Sequence, residues 1–190
     1  ANSVAEVKLN KGSAAGKVGV NIKGSTLEAG QAVQAAAHGT NNVNSDIRQA
    51  AVAGASVAVA GNRTRFREEQ SVQLDNSVIK GSSVDISSLT EGDIKHYMGQ
   101  GSFGLEAYSD TVSYITHSGA NKLQINGSTI TATDKTTLSA NNKVQLDNEG
   151  LAVNIQGVSA GRLVLESKDS LATGVELGKR TAGSVAGKSI

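Results

Sequence analysis

Apolar and polar residues alternate in short runs along almost the whole chain. Val18-Gly-Val-Asn-Ile22, Val57-Ala-Val59, Val72-Gln-Leu74 and Val84-Asp-Ile86 come first. Val112-Ser-Tyr-Ile115, Leu123-Gln-Ile125, Val144-Gln-Leu146, Val153-Asn-Ile155, Leu163-Val-Leu165 and Val175-Glu-Leu177 follow. A period of two sends successive side chains to opposite faces of a strand. Gly, Asn, Asp or Ser stands close to each run, so the pattern predicts many short strands separated by turns. Residues 28–38, with Ala35-Ala-Ala37, and 46–53, after Ser45, have helical composition instead. Neither carries an apolar stripe at 3.6 spacing, and the strand reading is preferred for both.

Short segments also recur at a distance. Ile22-Lys-Gly-Ser-Thr26 returns as Ile125-Asn-Gly-Ser-Thr129, Val72-Gln-Leu-Asp-Asn76 as Val144-Gln-Leu-Asp-Asn148, and Val20-Asn-Ile-Lys-Gly24 as Val153-Asn-Ile-Gln-Gly157. Self-similar strand units are the mark of a stacked, quasi-one-dimensional fold. The separations share no single period and are read as an imperfect coil of roughly 18–25 residues. Antiparallel sandwiches rely on hairpins with Asn-Gly or Asp-Gly turns, and Asn126-Gly127 is the one such pair. The expected fold is therefore all-β, a right-handed parallel β-helix forming one section across residues 1–190. Its corners are expected at Gly24-Ser-Thr26, Asn76, Gly127-Ser-Thr129 and Asn148.

Composition agrees with stacked strands. Proline is absent from the 190 residues, and there are 22 glycines. A strand bonded on both sides has no place for a residue without an N–H, whereas tight bends favour glycine. Val, Ile, Leu and Phe make up about 23% of the chain, above the level below which disorder is expected. Trp is absent and Phe and Tyr number 2 and 3, so the core must be thin layers of aliphatic side chains. No cysteine is present, which excludes disulfides and thiolate metal sites. The formal net charge of +1 gives no basic footprint for nucleic acid. No run of 18 apolar residues occurs, so no apolar helical membrane span is expected. The chain opens Ala1-Asn-Ser3 without a signal sequence and is read as a piece of a longer polypeptide.

Several motifs invite a chemical reading. Gly99-Gln-Gly-Ser-Phe-Gly104 matches the dinucleotide fingerprint in letters. It is followed by a strand pattern instead of a helix, and a glycine-rich corner is preferred. Ala182-Gly-Ser-Val-Ala-Gly-Lys-Ser189 resembles a relaxed phosphate loop but lacks the helix that would aim amides at a phosphate. His38, His96 and His117 are scattered without a second ligand at i+2 or i+4, so neither metal nor cofactor is expected. Catalytic residues are not assigned. Glu68-Glu69 and Glu91 near Asp93 are the carboxylate pairs a polysaccharide-cleaving enzyme would need. Two candidate ligand surfaces remain. Arg63, Arg65 and Arg67 share one side of a strand and would clamp an acidic glycan or phosphate; the plain alternative is a solvated edge neutralised by Glu68 and Glu69. His96, Tyr97 and Tyr108 lie in the one stretch where aromatics gather; the plain alternative is packing under a loop.

Ile22-Lys-Gly-Ser-Thr-Leu-Glu-Ala-Gly30 and Ile125-Asn-Gly-Ser-Thr-Ile-Thr-Ala132 resemble the repeats of filamentous haemagglutinin-type exoproteins of Gram-negative two-partner secretion. Autotransporter passengers share the texture. The resemblance implies a parallel β-helix, export to the bacterial surface or medium, and a structural or adhesive, non-enzymatic role. Implied partners are a surface receptor or glycan, flanking coils of a parent protein, and further copies of the chain. The alternative is a β-helical enzyme or phage tail-spike part acting on polysaccharide.

Overall fold

A computed structural model describes residues 2–9, 16–52, 54–155, 158–178 and 185–186. The fold is an all-β parallel solenoid with no helix among these residues. In chain order the strands are β1 (Asn2–Leu9), β2 (Gly16–Lys23), β3 (Thr26–Glu28), β4 (Val33–Val52), β5 (Ala55–Asp75), β6 (Val78–Phe103), β7 (Glu106–Asn126), β8 (Thr129–Ile155), β9 (Val158–Leu177) and β10 (Val185–Ala186). Neither stretch of helical composition is helical where it is described: 33–38 and 46–52 belong to β4, residues 29–32 bend between β3 and β4, and residue 53 lies outside the described residues. In β4 the ladder satisfies the backbone and overrides local propensity.

The strands form two sheets. β1 and β2 lie end to end along β5, and β7 and β9 follow; β3 and β4 lie along β6, and β8 and β10 follow. Every pairing is parallel. The chain runs out along one sheet, turns, and returns along the other. Each full coil is therefore two long strands and two corners. Ile22 pairs with Leu74 and Leu74 with Ile125, so from β2 to β9 the coil is 51–52 residues, with 57 between β1 and β5 and 55 between β8 and β10, not the roughly 18–25 that the echoes suggested. The one register shift along β6 and β8, between Gly81 and Ser83, moves the spacing from 51 to 52. A 21-residue strand spans about 70 Å, and facing sheets lie about 10 Å apart, so the body is a thin slab.

The longer coil explains the echoes. Those at 22–26 and 125–129 are two coils apart, and Leu74-Asp-Asn-Ser-Val78 sits between them as the third member of the stack. Gly24, Asn76 and Gly127 hold φ of 57°, 47° and 54° at this corner, the left-handed region that Gly and Asn tolerate. The following serines stack as well. Ser77 Oγ contacts the carbonyls of Asp75 and Ile22 at 2.9 and 3.2 Å and accepts from the Ser25 amide; the Ser77 amide in turn donates to Ser128 Oγ at 3.1 Å. Asn148 is not at a corner: it lies within β8 opposite His96 of β6, and its echo of Asn76 is not a structural one.

The core is segmented along the slab. Near this corner it is aliphatic, with Val72, Leu74, Ile79, Ile86, Leu123, Ile125 and Ile130 buried together. A second cluster, Phe66, Ile94 and Ile115, lies further along. At the far corner the interior shrinks to Ala58, Ala60, Ser56, Ser102 and Ser109. Replacing Ser77 by Ala removes a buried hub of the corner ladder and is expected to cost about 1–3 kcal/mol. Comparing urea midpoints with Ser25→Ala, whose Oγ bonds only within its own corner, checks this: the outer variant should move much less.

Candidate functional surface

Strand alternation decides what each candidate residue can do. On β5, Arg63, Arg65 and Arg67 face outward while Asn62, Thr64, Phe66 and Glu68 face inward. The three guanidinium groups do share one face, as the sequence suggested. Arg65 and Arg67 are exposed, and Arg63 lies over the Tyr114 ring of β7 at 5.2 Å. None of the three arginines makes an ion pair among the described residues. The expected neutralisation by Glu68 and Glu69 does not occur. The two carboxylates point to opposite faces, Glu69 meeting Lys17 at 3.3 Å outside and Glu68 going inside.

The aromatic stretch does not form one surface. His96 is buried, with Thr64 Oγ1 2.7 Å from Nε2 and Ser113 Oγ 2.9 Å from Nδ1. It is an interior hydrogen-bonding residue, which corrects its assignment to a ligand surface. Tyr97 is its neighbour on β6 and therefore faces out of the second sheet, where Arg48 lies over its ring at 5.2 Å. Tyr108 is exposed on the outer face of the other sheet, lining a shallow groove of about 240 Å³ with Ala55, Val57, Val158 and Ala160. Gly99 and Gly101 are strand residues beneath the Tyr97 and Phe103 rings, and Gly104 stands at the turn into β7. The strand β7 follows where the fingerprint needs a helix N-terminus to meet the phosphates. Gly187-Lys-Ser189 lies outside the described residues.

The outer face of the second sheet is a polar array. Glu91 is 3.0 Å from His38 Nε2 and 3.4 Å from Lys143, and Asp93 is 2.8 Å from Lys95. The Lys95 ammonium is held above the usual lysine range by its hydrogen bond to Asp93. Around the far corner, Val52, Phe103, Leu105, Ile155 and Val158 are exposed. This end is apolar outside and small and polar inside, the reverse of the first corner.

The structure also assembles a buried cluster that no local motif announced. Glu68 on β5 accepts from Asn41, from Gln70 at 3.1 Å and from His117 Nε2 at 2.8 Å. His117 is fully buried and stacks on Phe66 with ring centroids 4.2 Å apart. The Asp169 carboxylate lies 3.1 Å from Nδ1, off the line of a good hydrogen bond. Gln70 passes the network on to Thr90 at 2.6 Å. Three glycines make room: a side chain on Gly39 would strike Gln70, one on Gly92 the Asn41 carbonyl, and one on Gly119 the Glu68 carbonyl. Gly119 also holds φ 130°, which only glycine adopts readily. Glu68 shares the parity of Phe66, Gln70, Val72 and Leu74, which is the signal that marks it as inward. Glu68, Gln70, Thr90 and His117 are buried, with Asn41 half-buried and Asp169 exposed at the margin, so the cluster orders the interior of the slab.

No protein-family profile matches the chain, and no curated protein or solved structure is similar enough to count as a match.

Two outcomes follow from the interior groups. Glu68→Ala leaves the buried Gln70 and His117 donors and the half-buried Asn41 amide without their acceptor and is expected to cost about 3–5 kcal/mol, with Glu68→Gln costing less, both read from denaturant midpoints. Burial lowers the His96 pKa from its ordinary 6.5. The unfolded chain then takes up a proton that the folded chain refuses. Stability contributed by neutral His96 is complete above about pH 6.5 and is lost as pH falls toward the folded-state value. Midpoints measured from about pH 7.5 to 5.5 should fall less steeply in His96→Gln than in the native chain.

Proposed function

We propose that this chain is a structural and adhesive section of a bacterial surface or secreted exoprotein, acting through its outer faces and not through a catalytic pocket. The observation that carries the reading is the architecture. Two long parallel sheets give the slab broad, stiff faces on which every second side chain is presented at fixed spacing. Such a surface suits contact with an extended partner or the display of further coils. The resemblance of the Gly-Ser-Thr corner segments to haemagglutinin-type repeats points to the same role and to a location outside the cell.

The carboxylate pair Glu91 and Asp93 bears on the alternative, an enzyme acting on polysaccharide. Each already has a lysine beside it, Lys143 at Glu91 and Lys95 at Asp93, and a glycosidase needs one acid kept protonated and a second carboxylate across a bound sugar. The purified chain on beads should retain cells or cell-surface extract under shear, while beads carrying an unrelated β-protein do not. Incubation with acidic and neutral polysaccharides should release no reducing ends; turnover lost in Glu91→Gln or Asp93→Asn would replace the adhesive reading with the enzymatic one.

A further inference from the structure

The coil length of 51–52 residues sets groups side by side that are far apart in sequence. On the outer face of the first sheet, Arg65 is in register with Thr116 of β7, and Thr116 with Lys168 of β9; on the other side the register sets Lys8 of β1 alongside Arg65. The next row is Arg67, Ser118 and Ser170. Arg65, Arg67 and Lys168 are exposed and make no ion pair among the described residues. This contrasts with the same face further along, where Arg162 is paired with Asp110 at 2.8 Å and Lys122 with Glu176 at 3.0 Å. Cations two residues apart on one strand stand about 7 Å apart, and those two strands apart about 10 Å.

We propose that these two rows bind an acidic polysaccharide, with Arg65, Arg67 and Lys168 pairing its carboxylates or sulfates and Thr116, Ser118 and Ser170 meeting its hydroxyls. Such a site deepens the adhesive reading and rests on it only in that this outer face meets a ligand. Guanidinium groups hold carboxylate and sulfate through paired N–H donors, and their weak hydration keeps the desolvation penalty low. The Thr116 and Ser118 hydroxyls can both donate and accept, as sugar hydroxyls require, while Ser170 Oγ donates to the His117 carbonyl at 3.1 Å and is left as an acceptor. A single-stranded nucleic acid needs successive aromatic platforms between its cationic contacts. Here one ring, Tyr114, borders the rows, and Arg63 covers it. A lipid surface needs exposed apolar side chains among the cations, and these rows carry none. Stacked parallel strands repeat the contact at fixed intervals, so the polymer is bound lengthwise or across the rows at several groups at once, and each weak pair gains from the others.

The test uses the full chain and immobilised dextran sulfate and polygalacturonate as probes. Neutral dextran, an oligothymidylate and anionic phospholipid vesicles are the comparison arms. The native chain should bind one or both acidic polysaccharides and not dextran, with affinity falling as salt rises. Arg65→Gln with Arg67→Gln should weaken binding about tenfold or more and flatten the salt dependence, while Lys122→Gln with Lys143→Gln, an equal loss of charge elsewhere, should leave it within about twofold. Both variants replace outward side chains, and an unchanged far-ultraviolet spectrum and denaturant midpoint confirm that folding is intact. Equal weakening by the two variants would overturn the site, since it would show a response to net charge alone. Binding to oligothymidylate or vesicles in preference to both polysaccharides would overturn the ligand class. Cell retention by beads that survives Arg65→Gln with Arg67→Gln would overturn the role of this surface while leaving the adhesive reading standing.

Discussion

The hydrogen-bonded ladder between parallel strands one coil apart is the constraint from which the other features follow. Each residue of β5 and β7 has a neighbour 51–52 positions away in the same orientation. Residues at that spacing must accept the same environment: buried with buried, corner with corner, outward with outward. Val20, Val72, Leu123 and Val175 form one such column, and Ile22, Leu74, Ile125 and Leu177 the next. Proline would interrupt the ladder in both directions, which accounts for its absence. The last column members, Val175 and Leu177, are exposed because β9 ends its sheet among the described residues, with β7 on one side and no strand on the other.

A ladder alone does not say which residue pairs with which. In long strands with a period of two, a slip of one residue turns every inward side chain outward, and a slip of two leaves the pattern intact. The buried polar cluster supplies what aliphatic columns cannot. Glu68, Gln70, His117 and Thr90 are satisfied only when β5, β6 and β7 are aligned as they are. Gly39, Gly92 and Gly119 lie where that alignment brings chain atoms too close for a side chain. Buried ionisable groups are poor sources of net stability, but they discriminate strongly between arrangements that satisfy them and arrangements that do not. His96 repeats the device with Thr64 and Ser113 further along. The serine stack at 25, 77 and 128 fixes the corner in the same way.

Outside, the same geometry turns a sequence into a surface. A strand offers one outward residue in two, and the neighbouring coil places another group beside it. Chemistry is therefore distributed in rows and columns, not gathered into a pocket. Acid–base pairs occupy the second sheet, with Glu91 between His38 and Lys143 and Asp93 beside Lys95. The first sheet leaves Arg65, Arg67 and Lys168 without acidic partners. The far corner, apolar outside and built from small residues within, marks a second kind of surface on the same body.

Alternation and glycine-marked turns were enough to determine the all-β class, the stacking of parallel strands, the corner at Gly24 and Gly127, and the shared face of Arg63, Arg65 and Arg67. These are local properties: a period of two fixes which side a residue takes, and a left-handed φ selects Gly or Asn. The coil length was not legible, because the Asn76 and Val20 echoes are chance likenesses that obscured the true spacing between Ile22 and Ile125. Without that length, Lys168 could not be set near Arg65, Glu68 could not be joined to His117, and His96 could not be separated from Tyr97's surface. Only the folded chain decides such neighbours, because parallel pairing depends on how far the backbone travels before it returns, and no short stretch of residues encodes that distance.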